Sequence, residues 1–160
     1  MTESAALFLE ETQRVAQDFP TISLRTSLVD TQVLWLTRKP EEFGVILASP
    51  LIGDILSDGF AGLVGGLGFV PCANLGSRCA LFEPVHGSAP KYADRTPSIV
   101  NPIAAILAGA MLLDHIGETA RAHRIRTAVA RVIQEGAVRT FDLEGSATTS
   151  QMTEAILLSL

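Results

Sequence analysis

The apolar positions change period several times along the chain, and each change marks an element. In SAALFLEETQRVAQDF, residues 4–19, Leu7, Leu9, Val15 and Phe19 fall near one side of a helix, while Glu10, Glu11, Gln13 and Arg14 fall largely on the other. Pro20 stops that helix. TISLRTSLV, 21–29, then mixes alternation with β-branched residues and predicts a strand, and DTQVLWLTRKP predicts a short helix ended by Pro40. GVILAS, 44–49, is short and almost wholly apolar, as a buried strand would be.

From 51 to 67 the period is helical again, until Gly65, Gly66 and Gly68 break it into a loop leading to FVPCANLG. CALFEP predicts one more short strand. Asn101 followed by Pro102 predicts a helix start, because Asn caps and proline is tolerated at the first helical position. That apolar helix runs to Ile116 and stops at Gly117, and a second, amphipathic one covers 118–134 and ends at Gly136. After FDLEG, residues 147–160 predict a last helix, with Thr148 or Thr149 as cap and Glu154 placed for a capping box. Strands alternating with helices give an α/β class, with about three strands against six helices. No repeat or low-complexity linker divides the chain.

Composition narrows the classes. The 160 residues are 48% hydrophobic, enough for a packed core, and the net charge of −5 argues against a nucleic-acid partner. Arg121, Arg124, Arg126 and Arg131 form the one basic run, spread around the solvent side of a helix. Cys72 and Cys79 lack the paired spacing of a zinc or redox motif and predict buried thiols in a reducing compartment. With no leader and no apolar run near the roughly 18 residues needed to span a bilayer, the expectation is a soluble cytoplasmic protein without a membrane partner.

Two stretches carry candidate chemistry. PLIGDILSDGF places Asp54 and Asp58 one helical turn apart on the same face, where like charges repel unless a cation sits between them. Carboxylate oxygens are what Mg²⁺ or Mn²⁺ prefers, though a bare pair at this spacing is also an ordinary solvated surface. Asp30, at a strand-to-helix junction, is either a third ligand or a helix cap. EPVHGSAPKYAD, 83–94, is too irregular for a helix and too proline-broken for a central strand, so it is a loop. By itself, its His86 is an ordinary loop histidine.

GDILSD, a glycine-rich turn, EPVHGSAP, and NP opening a helix, in that order, resemble the isocitrate/isopropylmalate dehydrogenase family of metal-dependent decarboxylating β-hydroxyacid dehydrogenases. Asp30 after the earlier strand and the terminal DLEGSATTSQMTEAI extend the resemblance over the chain. It implies a partial isopropylmalate dehydrogenase-like fold, with helices around a short mixed sheet and no Rossmann fold; no GxGxxG occurs. Residues 1–65 would belong to the small, metal-binding and dimer-forming domain, and 66–160 to the C-terminal part of the large, cofactor-binding domain.

The resemblance further implies that Asp54 and Asp58 bind Mg²⁺ or Mn²⁺ in one subunit of a dimer while Asp30 reaches across to the other. The turn of His86, Gly87, Ser88, Ala89 and Pro90 would wrap the adenosine part of the dinucleotide, with His86 and Asn101 flanking adenine. NAD-preferring members resemble HGSAPDIAG, whose aspartate accepts from the ribose; Lys91 and Tyr92 stand there instead, a cation and a phenol suited to a 2′-phosphate, so NADP is expected over NAD. The substrate would be a 3-substituted malate, a small 2-hydroxy acid of the isocitrate or isopropylmalate type.

The chain also departs from the family pattern. Pro50 and Ile52 replace an asparagine and an aromatic residue beside the GDILSD core, which removes a polar contact. The chain corresponds to roughly the C-terminal half of the family, without its arginine-rich segment, catalytic tyrosine and catalytic lysine. Tyr92 is its one tyrosine, and Lys39 and Lys91 match no catalytic position. It is therefore expected to act as a homodimer or with a complementing N-terminal half, the alternative being a non-catalytic truncated homologue that serves as a dimerisation or interaction module.

Overall fold

A computed structural model describes residues 2–160, which divide into two compact units, one up to Phe60 and one from Ala61 to Leu160. In the first unit, α1 spans Glu3–Ala16, with the Thr2 hydroxyl accepting from the Ala5 N–H and Arg14 paired to Glu11 at 2.7 Å. Helix α2 spans Val29–Arg38 and α3 spans Pro50–Leu63, the proline taking the first position, where a missing N–H costs nothing.

The two strands expected in this unit did not form. Residues 23–28 and 44–49 have no regular hydrogen-bonded structure, Val29 being taken into α2, and their apolar side chains lie open: Val45 is 98% exposed, Leu28 73% and Leu47 64%. A strand needs a partner to take its N–H and C=O groups, and none is offered among the described residues. The sheet is accordingly two-stranded and antiparallel, not mixed.

The second unit holds that sheet. Strands β1, Pro71–Leu75, and β2, Ala80–Pro84, pair from Pro71 opposite Pro84 to Leu75 opposite Ala80. Strand β1 was not foreseen, because its proline and small residues hide the alternation; Pro71 is tolerated as the first strand residue. Helix α4, Ile103–His115, packs on both strands and on α5, Thr119–Glu135, which in turn meets α6, Thr149–Leu158. Covered from two sides, α4 is apolar nearly all round and buries Ala104, Ala108 and Ala110.

Ile103, Ala128, Val129, Val132, Met152 and Ile156 form the core, with Phe69, Leu107, Val138 and Leu143 packed against it. Asp114 of α4 pairs with Arg126 of α5 at 2.6 Å, so part of the basic run is used internally. Gly136, at φ +64°, ends α5 in the left-handed conformation that glycine adopts without steric cost. At α6 the capping box pairs Thr148 with Gln151 and not Glu154, since the partner must stand three residues after the cap. No described helix is long and apolar enough to cross a membrane.

Candidate functional site

Helix α3 sets the spacing of the two acidic residues. Asp54 and Asp58 both lie exposed, and among the described residues neither carboxylate is paired with a cation or a hydrogen-bond donor. Leu51, 70% exposed, and Ile55, 56% exposed, stand on the same helix. Asp30 lies in the first turn of α2, where its Oδ1 accepts from the Thr31 N–H at 2.6 Å and the Thr31 hydroxyl at 3.3 Å. No three His, Cys, Asp or Glu side chains gather into a metal-binding group among the described residues. The unpaired carboxylates of Asp54 and Asp58 suit a hard divalent cation, and further ligands would come from outside this chain.

In the second unit the loop leaves β2 with the Val85 N–H donating to the Val70 carbonyl at 3.0 Å. His86 is half-buried, its Nδ1 3.0 Å from the Gly87 carbonyl oxygen. Gly87 and Ser88 are exposed, and a Cβ at Gly87 would meet nothing within 4 Å, so the backbone here borders open space. Ala89 then takes a left-handed conformation, φ +42°, and turns the chain into one 3₁₀ turn, Pro90–Tyr92. That turn brings Lys91 and Tyr92 to one place: the Lys91 Nζ lies 4.9 Å from the centre of the Tyr92 ring, within cation–π range. The Tyr92 ring also meets Phe141, centroids 5.1 Å apart and tilted by 47°.

Asn101 differs in character from the loop residues. Only 4% exposed, it donates from Nδ2 to Asp142 at 2.9 Å and accepts at Oδ1 from the Ile103 N–H at 3.0 Å. Its side chain thus takes the first N–H of α4 from one residue ahead of the cap, which is Pro102 and not Asn101, and is tied to Asp142, forty-one positions away in the chain. Asp142 also takes the Thr140 hydroxyl at 2.5 Å, and Thr140 is fully buried. Phe141 and Asp142 had not been singled out, since no local period signals a pairing over that sequence distance.

Comparisons with known proteins give the chain's family. The model of the isocitrate/isopropylmalate dehydrogenase family matches residues 1–156. The isocitrate/homoisocitrate dehydrogenase of Thermus thermophilus is 49% identical over 154 residues, which cover 96% of this chain and 45% of that protein. The 3-isopropylmalate dehydrogenase of Methanothermobacter thermautotrophicus is 40% identical over 98% of this chain and 46% of its own length. The crystal structure of isocitrate dehydrogenase from Methylococcus capsulatus superposes with a TM-score of 0.90 at 46% identity, covering 96% of this chain and 45% of that one. The chain, helical with a small two-stranded sheet, belongs to the isocitrate/isopropylmalate dehydrogenase family. It spans slightly under half the length of these relatives.

Proposed function

We propose that this chain carries the metal- and dinucleotide-binding parts of an NAD(P)-dependent dehydrogenase that oxidatively decarboxylates a 3-substituted malate. The supporting observation is the pair of unpaired, exposed carboxylates one turn apart on α3, in a chain that matches the family from residue 1 to 156. Asp54 and Asp58 would hold Mg²⁺ or Mn²⁺, with Asp30 reaching a second subunit's ion. A divalent ion there supplies positive charge to a substrate's hydroxyl and carboxylate oxygens. The loop from His86 to Tyr92 would grip the adenosine end of the cofactor, in a fold distinct from the Rossmann type. At Gly87 the open backbone admits a ligand's close approach, and Lys91 beside Tyr92 offers a cation and a phenol to a 2′-phosphate. NADP is therefore the preferred cofactor.

Asn101 fits this reading as a buried brace behind the adenine site, its amide being engaged with Asp142 and the Ile103 N–H. Residues 1–65 would form the small-domain part and 66–160 the large-domain part. Activity would need a complementing N-terminal segment, a second copy, or both, in the cytoplasm. The exposed apolar residues of 21–29 and 44–49 favour such a covering partner. The same exposed stretches support a second reading, a truncated homologue that keeps an interaction surface without turnover.

The test is Mn²⁺-dependent NADP⁺ reduction with isocitrate, homoisocitrate, isopropylmalate and tartrate, by the chain alone and with a family N-terminal half added. Turnover in either arrangement supports the enzyme; none in both, with nucleotide and Mn²⁺ left unbound, favours the second reading. Lys91→Asp with Tyr92→Ile is expected to move dinucleotide preference from NADP towards NAD by about tenfold or more, the loss of one charge-assisted contact. Unchanged relative affinities would place the 2′-phosphate elsewhere.

A further inference from the structure

Two distant segments and a neighbour in its own turn meet at the carboxylate of Asp142. One oxygen accepts from the Asn101 amide at the start of α4 and the other from the buried Thr140 hydroxyl. The second distant segment is the 3₁₀ turn Leu67–Phe69: a Cβ at Gly68 would lie 2.8 Å from the carboxylate oxygen that accepts from Asn101 and 3.1 Å from the Asn101 Cβ, so only glycine fits there without a shift. The turn bearing Asp142 is itself closed, with the Leu143 and Gly145 N–H groups both donating to the Thr140 carbonyl at 2.9 Å. Its next residue back, Phe141, is 40% exposed and meets the ring of Tyr92.

We propose that Asp142 is a positioning residue for the cofactor loop. By bracing the 140–145 turn against α4, it fixes Phe141, which holds the Tyr92 ring, and through that ring the place where Lys91 and Tyr92 meet a 2′-phosphate. Asp142 touches no cofactor in this account; it acts through Phe141. The proposal rests on the reading of residues 86–92 as the adenosine loop. Its signature is selective, because 5′-AMP lacks the phosphate that Lys91 and Tyr92 recognise, and 2′,5′-ADP carries it.

The test measures binding of 2′,5′-ADP and of 5′-AMP to the full chain by titration calorimetry. Asp142→Ala is expected to weaken 2′,5′-ADP by about tenfold while weakening 5′-AMP much less, so that the preference for the 2′-phosphate falls. Asp142→Asn retains an oxygen for the Asn101 amide and offers an N–H to the Thr140 oxygen, and is expected to keep the preference within about twofold of the parent. An alanine variant whose preference is unchanged while its melting temperature drops would reduce Asp142 to a structural residue, and overturn the proposal. So would an asparagine variant as impaired as the alanine one, because geometry would then not be what matters. If Asp142→Ala does not fold, Gly68→Ala and Phe141→Leu replace it: a lowered preference in both supports the bracing, an unchanged one in both refutes it. A parent chain that binds neither nucleotide removes the adenosine-loop reading itself, and the proposal with it.

Discussion

The two units of this chain bury their apolar residues very differently. From Ala61 onward, Ile103, Val129, Val132, Met152 and Ile156 are all nearly inaccessible to water and meet in one cluster. Before Ala61, Leu36 and Leu56 are the large apolar side chains buried among the described residues, while Leu7, Ile22, Leu28, Val45, Leu47 and Leu51 stand mostly open. The sequences of the two units are not so different in apolar content; what differs is whether the faces find each other. A fully buried Leu, Ile or Met contributes about 1.5–3 kcal/mol, so the second unit has a sum of such terms that the first lacks. The second unit thus has an apolar core of its own, whereas much of the first unit's apolar surface is open.

Amide hydrogen exchange gives the largest contrast. Residues 23–28 and 44–49 are expected to exchange at close to the free-peptide rate, and α4 and α5 to be slower by about a thousandfold or more. Protection in 44–49 comparable with α4 would show that the first unit has found a partner, such as a second copy. Next in size is a pair of substitutions: Met152→Ala is expected to cost about 2–5 kcal/mol in urea denaturation, Val45→Ser less than about 0.5 kcal/mol. Equal costs would mean that Val45 is packed and the contrast false.

A smaller effect is expected at the start of α6. Thr148→Ala removes the hydroxyl that accepts from the Gln151 N–H at 3.2 Å and is expected to lower stability by about 1 kcal/mol, read from the same denaturation curves. Smallest of all is the acidic pair. Asp54→Asn or Asp58→Asn, without metal, is expected to raise stability by a few tenths of a kcal/mol by relieving like-charge repulsion, while Mn²⁺ binding measured by calorimetry is weakened or lost. Unaltered Mn²⁺ affinity in both variants would remove the proposed ligands.

The helices were legible because their information is local. The apolar spacing along α4, α5 and α6, Gly136 after α5 and the threonines before α6 act within a few residues, and each fell within one or two positions of its expected place. Strands fared worse, because an alternating stretch states only which face is apolar and leaves open what takes its hydrogen bonds. For 21–29 and 44–49 no strand among the described residues does. In β1 the reverse happened: an unpromising PCANL pairs because β2 lies beside it. The loop residues from His86 to Tyr92 were visible as a motif, but the support behind them, Phe141 and Asp142, was not, since it depends on a contact spanning forty-one positions.

Ala89 bears on how this loop would respond to engineering. An L-residue with φ near +42° sits roughly 1–2 kcal/mol above its relaxed state, a tension that Ala89→Gly would release. The release would also loosen the bend, since glycine samples many more dihedral pairs than alanine. The bend is therefore held by its surroundings against the preference of the Ala89 methyl, and libraries that vary this stretch would trade strain for backbone freedom if they began there.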